Sequence, residues 1–172
     1  MNRRRLTFGA VAALAAAAGA GVAWRRGRPT TVPGAEQLWS LRFDQPDGGQ
    51  IGMGAFRGRP LLLNFWATWC PPCVSELPLL DRFFRDQPRG GWQVAGLAVD
   101  SLAPVLTFLA QHPVTFPIGL AGAQGIELAR QLGNISGALP YTAVFDRSGA
   151  LVQRKLGVVK AADLQEWVAA AG

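Results

Sequence analysis

The sequence predicts an α/β domain, a mixed sheet with helices on its faces. Three observations carry this. Two short, nearly continuous apolar runs, Leu61–Trp66 and Trp92–Val99, have the length and composition of strands buried on both faces. Each is followed by a segment of helical length, about Cys70–Asp86 and Ser101–Gln111. The last third adds two strand-like segments around an Asp-Arg-Ser-Gly turn, then a closing helix. With 172 residues, 49% of them apolar, one domain with a real core is expected.

The chain opens on an address. Arg3, Arg4 and Arg5 precede an uncharged run rich in Ala and Gly, Leu6 to Trp24. As a helix that run spans roughly 28 Å, about the thickness of a bilayer core. A charged start followed by an apolar stretch is an export signal, and Arg3-Arg4-Arg5-Leu6 partly matches a twin-arginine signal. Two outcomes compete: cleavage at small residues such as Ala16, Ala18 and Ala20, or retention as a membrane anchor. Residues 1–24 are therefore read as signal or anchor, 25–36 as a linker of Arg, Gly, Pro and Thr, and 37–172 as the domain.

The charge supports this division. The net charge of +6 suggests nucleic acid, but six arginines lie in residues 1–28, where there is no acid. The remainder holds eleven basic and eleven acidic residues. A nucleic-acid partner needs a basic stripe to neutralise phosphates, and the domain has none to offer.

Within the domain, Leu38–Phe43 alternates enough for a strand. Pro46-Asp47-Gly48-Gly49 is a strong turn, and Gln50–Met53 returns as the second arm of an N-terminal hairpin. Leu61–Trp66 follows as the central strand. A helix begins at Cys70 or Pro71, where proline is tolerated in the first turn, and Pro78 lies inside it. Trp92–Val99 is the second buried strand, and Ser101 the expected N-cap of the next helix. Pro113–Leu120 is extended, and Gln124–Leu132 is a helix ended by Gly133. Tyr141–Phe145 and Ala150–Leu156 pair as a hairpin, and Ala161–Ala170 closes the chain.

The only two cysteines, Cys70 and Cys73, follow the central strand at a helix start. Exported proteins keep disulfides, but a bridge over so short a loop contributes little to holding a fold together. The position points to chemistry instead. A helix N-terminus carries partial positive charge and free N–H groups, which favour a thiolate, and the thiolate is the nucleophile. Cys70 is the expected exposed attacker, and Cys73, one turn later, the more buried thiol that resolves the mixed disulfide. Pro71 and Pro72 lack an N–H, so the Cys70 thiolate keeps fewer donors, and a modest lowering of its pKa is expected.

A longer motif surrounds the pair. Asn64-Phe65-Trp66-Ala67-Thr68-Trp69-Cys70-Pro71-Pro72-Cys73, followed by Glu76-Leu77-Pro78, resembles the motif of the TlpA/ResA-like thioredoxins, which are membrane-tethered or periplasmic thiol–disulfide oxidoreductases. The similarity runs over about residues 36–172 and includes Phe56-Arg57-Gly58-Arg59-Pro60 and Leu139-Pro140. It implies a thioredoxin fold with the N-terminal hairpin as an extension. It also implies a cis peptide before Pro140, set against the two cysteines, where the Leu139 backbone pairs with an extended substrate segment. Trp69 and Pro71 then face the substrate, Trp66 is core, and Trp92 and Trp167 are packing. Asn64 stands where cytoplasmic thioredoxins carry a buried Asp and cannot titrate. Asp100, at the end of the Trp92–Val99 strand, is the candidate proton shuttle for Cys73, with Glu76 the second acid. A helix-capping role for Asp100 and a solvated place for Glu76 are the plain alternatives.

The family mostly reduces exported proteins, commonly in cytochrome c maturation, and is recharged by a membrane thiol relay. These partners follow from the resemblance alone. No bound cofactor is needed, because the two thiols store the electrons, and no metal is expected: beyond the cysteines the only other soft ligand is His112. Competing readings remain a disulfide oxidant or isomerase, a CxxC metal handler, a tethered module with inert cysteines, and a peroxidase. The peroxidase motif Pro-x-x-x-Thr-x-x-Cys is absent, since Leu63 and Ala67 hold its Pro and Thr positions relative to Cys70.

Overall fold

A seven-stranded sheet with strand order β2-β1-β5-β4-β3-β6-β7 forms the body of the domain. The computed structural model describes residues 33–88 and 90–171. The proposed signal or anchor and residues 25–32 of the linker lie outside them.

The chain runs through α1 (Pro33–Leu38), β1 (Arg42–Asp44), β2 (Gln50–Gly52), a 3₁₀ turn (Met53–Phe56), β3 (Leu61–Trp66) and α2 (Pro71–Arg85). It continues through β4 (Gln93–Ala98), α3 (Leu102–Gln111), β5 (Ile118–Leu120), α4 (Gln124–Gln131), β6 (Tyr141–Phe145), β7 (Leu151–Leu156) and α5 (Ala161–Ala171). Strands β3, β4 and β5 are parallel, and β6 runs antiparallel to β3, so the sheet is mixed. The β1–β2 hairpin joins at the β5 edge through antiparallel pairing of Asp44 with Leu120.

Two expectations need correction. Residues 33–36 of the linker are helical, and Leu38–Trp39 belong to the end of α1 and its turn rather than to a strand. The strand begins only at Arg42. The reason is tertiary. Ala35 and Leu38 are spaced three apart, so one helical face carries both into the core. Trp39 follows them in and donates its indole N–H to the Gly149 carbonyl at 3.3 Å.

Period-2 alternation divides the sheet into two faces. On one side Leu61, Leu63 and Phe65 of β3 join Ala95 and Leu97 of β4 and Tyr141, Ala143 and Phe145 of β6, under α1 and α4. On the other side Leu62 and Trp66 join Val94, Ala98 and Val144, under α2, α3 and α5. Both cysteines pack in this second core. By the same parity Asn64 and Thr142, which are register partners on β3 and β6, face the second core as a buried polar pair.

Candidate active site

Strand β3 is buried along its whole length, and the chain turns sharply at its C-terminal end. The Cys70 N–H donates to the Ala67 carbonyl at 3.2 Å, and the Val74 N–H to the Cys70 carbonyl at 3.1 Å. Cys70 therefore caps α2, with Pro71 and Pro72 as the first two helical residues. Neither proline has a donor to lose at this position. Cys70 and Cys73 form a disulfide with Cα atoms 5.3 Å apart. Cys73 is wholly enclosed, and Cys70 is 6% exposed. The order of exposure is the expected one, but in the oxidised form Cys70 shows only an edge. Trp69 beside it is 63% exposed, whereas Trp66 is fully buried.

The Leu139–Pro140 peptide is cis. Pro140 is buried and its carbonyl accepts the Gly157 N–H at 2.8 Å, which ties the start of β6 to the end of β7. Leu139 packs against both cores, including the one that holds the cysteines. Among the described residues no backbone partner takes up the Leu139 N–H or C=O. The loop before it is built on buried Asn134, whose side chain donates to the Ala138 carbonyl at 2.8 Å.

The two acids occupy different places. Glu76 is one turn beyond Cys73 on the same face of α2 and is 1% exposed, so it is no solvated helix charge. Its Oε2 accepts the Val159 N–H at 2.6 Å, and its Oε1 accepts from Asn64 Nδ2 at 2.7 Å. Burial pushes its pKa up to about 7, against the lowering pull of those two bonds and the Lys155 charge. Asp100 is half-buried at the sheet end. Its Oδ2 accepts both the Thr68 hydroxyl at 2.6 Å and the Thr68 N–H at 3.2 Å. Its Oδ1 accepts the Ser101 N–H at 2.8 Å. Asp100, and not the Ser101 side chain, thus satisfies the first donor of α3. It also fastens the Ala67–Trp69 turn that carries Cys70.

This arrangement is a strand, a turn with two linked cysteines at a helix start, and a cis-proline loop. A family model described as Redoxin matches residues 32–169. The chain belongs to the Redoxin family. Within it, this Redoxin is a thiol–disulfide oxidoreductase of the TlpA/ResA type on a thioredoxin fold. It is 28% identical over 123 residues to the thiol-disulfide oxidoreductase ResA of Bacillus thuringiensis subsp. konkukian, covering 71% of this chain and 69% of that one. It is 29% identical over 115 residues to the sporulation thiol-disulfide oxidoreductase A of Bacillus subtilis, covering 64% and 67%. Among solved structures, a thioredoxin-related protein from Neisseria meningitidis serogroup B is 30% identical with a TM-score of 0.65, over 73% of this chain and 93% of that one. StoA from Bacillus subtilis is 26% identical with a TM-score of 0.61, over 74% and 94%.

Three residues of this Redoxin's site were not assigned from the sequence. Asn64 was noted only as a position that cannot titrate, yet it is the side-chain donor to Glu76. Thr142 accepts from the same amide at 3.1 Å, and Val159 supplies its backbone N–H from 83 positions away. Strand parity could have put Asn64 on the face of Leu62 and Trp66 and Thr142 on that of Val144, but joining the two needs the β3–β6 register.

Proposed function

We propose that the Cys70–Cys73 couple reduces disulfides of exported proteins, apocytochrome c among the candidates, on the outer side of the cytoplasmic membrane. A membrane thiol relay recharges it, and no bound cofactor takes part. The export segment and the family resemblance support the location, the substrates and the relay. The observation that supports the chemistry is the enclosure of Cys73 beside a buried acid able to gain a proton near neutral pH.

The cycle balances on the dithiol. The Cys70 thiolate attacks one substrate sulfur, the substrate S–S bond breaks, and the released substrate thiolate takes up a proton. Cys73 then gives its proton to the Glu76 carboxylate, and its sulfur attacks Cys70 Sγ. The mixed disulfide breaks, the Cys70–Cys73 bond forms, and the second substrate sulfur leaves as a thiolate that takes a proton from water, while Glu76 returns its proton to solvent. Two electrons pass from protein to substrate. Trp69 and Pro71 offer the apolar docking surface, and the open Leu139 backbone beside Pro140 receives an extended segment as an added strand.

The reduction potential tests the direction. A value near −270 mV places the couple among reductants, and one near −120 mV makes it an oxidant and overturns this reading. Asp100 acts here by holding the Cys70 turn. Asp100→Asn leaves one oxygen, so whichever way the amide sits a backbone N–H, of Thr68 or of Ser101, faces the new NH₂ group, although the Thr68 hydroxyl can turn to accept. Loss of charge-assisted bonds is expected to cost about 1–3 kcal/mol in a urea melt and to slow disulfide release with the fold intact. Release kinetics equal to the parent protein's would remove Asp100 from the site.

A further inference from the structure

Asn64 is fully buried, and its side-chain amide is spent unevenly. Both N–H bonds are used, one on Glu76 Oε1 and one on Thr142 Oγ1, while Oδ1 has no partner. A buried acceptor without a donor is rare and calls for an account. The two groups that Asn64 faces share one property: each can reverse its hydrogen-bonding sense. A carboxylate only accepts, but a carboxylic acid also donates, and a threonine hydroxyl does either.

We propose that Asn64 is a positioning residue whose amide turns over when Glu76 gains or loses its proton, so that a bonded partner faces the carboxyl in both states. Oε2 keeps the Val159 N–H in either state, so the proton goes on Oε1. There it meets the Asn64 N–H, donor against donor. Turning the amide by half a revolution places Oδ1 at that point. Oδ1 then accepts from Glu76 Oε1–H and from the Thr142 hydroxyl, which changes from acceptor to donor. The two ends of an amide have nearly the same shape, so the turn needs no new space. One amide atom is left over in each state, but the contact with Glu76 is kept in both.

The surroundings leave this exchange to the amide. On α2 Cys73 precedes Glu76 by three positions on the same face, while Asn64 of β3, Thr142 of β6 and the Val159 N–H before α5 make the hydrogen bonds. The charged groups are Lys155 of β7 and its partner Asp163 of α5, whose atoms are 2.7 Å apart. The Lys155 charge acts on Glu76 at a distance and is met by Asp163.

The inference rests on Glu76 as the proton acceptor for Cys73, and the two can fail separately. The full-length oxidised protein is titrated from pH 5 to 9, with NMR following the Glu76 carboxyl carbon and the Asn64 NH₂ group. Both are expected to move with one midpoint, and Glu76→Gln is expected to freeze the Asn64 signals. Asn64→Leu is expected to raise the Glu76 midpoint by about one pH unit or more, because the charged form loses a donor. Thr142→Val is expected to broaden the Asn64 transition, with Thr142→Ser restoring it. A static Asn64 amide while Glu76 titrates overturns the proposal, and so does an unmoved midpoint in Asn64→Leu. The titration of the unaltered protein decides the matter even if a variant does not fold. Normal release kinetics in Glu76→Gln would instead refute the role of Glu76 and leave the amide result standing.

Discussion

Glu76→Gln is expected to make the oxidised protein more stable at pH 8 while slowing its disulfide release. The two effects share one cause. The Glu76 carboxyl has a raised pKa of about 7, against 4.5 for the free side chain. Below pH 4.5 it is protonated in both the folded and the unfolded chain and contributes nothing. Between these values the folded chain binds more protons, so stability falls as pH rises. Above pH 7 the folded protein carries a buried charge. At roughly 1.4 kcal/mol per unit, the loss across this window is about 3 kcal/mol.

Glutamine has no charge to bury. Its carbonyl accepts the Val159 N–H, and its NH₂ group faces Asn64, whose amide presents Oδ1 instead. Urea melts at pH 5 and pH 8 check this: the parent protein loses stability over the interval and the variant does not. Asp81 and Asp163 do not confuse the reading. Burial pushes their pKa values up, but hydrogen bonds from Thr115 to Asp81 and from Lys155 and the Lys160 N–H to Asp163, with nearby cations, together bring both below the ordinary value. Their stabilisation is present above the ordinary Asp range and is lost only as pH falls below it. An equal slope in both proteins would show that Glu76 is not the group titrating. With Glu76 in its proposed role as proton acceptor for Cys73, the same substitution is expected to slow release of the mixed disulfide about a hundredfold.

Cys73→Ser should stop the cycle halfway. Cys70 can still attack, but no second sulfur is available to expel the substrate. A covalent adduct of one protein and one substrate chain is expected, visible by mass spectrometry and released by added dithiol. Cys70→Ser should give no adduct and no turnover, because Cys73 is fully buried and a substrate sulfur cannot reach it. An adduct through Cys73 in that variant would reverse the assignment of attacker and resolver. The burial difference is small in the oxidised form, 6% against 0%, so the separation of roles rests on which sulfur reaches the surface at all.

These expectations draw on two levels of information. The placement of the two cysteines was legible locally. Cys70 and Cys73 are three positions apart, follow a continuous apolar strand and sit on a helix whose first turn contains two prolines. Strand, turn and helix start are neighbours in the chain, so periodicity and punctuation suffice to place them. The sheet strands β3, β4 and β6 were legible for the same reason, since burial on both faces leaves a continuous apolar run. The first segment of the domain was misread because Trp39, Leu41 and Phe43 alternate with Ser40 and Arg42 like a strand. The contacts that decide it, Ala35 and Leu38 against the core and Trp39 against Gly149, join residues up to 110 positions apart.

The acids show the same division more sharply. Asp100 and Glu76 both stood out in the chain, one at a strand end and one on the cysteine helix. Helical spacing from Cys73 and Leu80 puts Glu76 on the inner face of α2, but nothing local shows that it is enclosed at 1% exposure. That depends on Asn64, Thr142 and Val159 converging from β3, β6 and the chain before α5. The amino-acid order alone settled that two cysteines meet a helix N-terminus after a buried strand. Only the folding of distant strands over α2 decided that Glu76 is enclosed and its pKa raised. Desolvation is a property of everything around a group, and a chain read in order does not contain it.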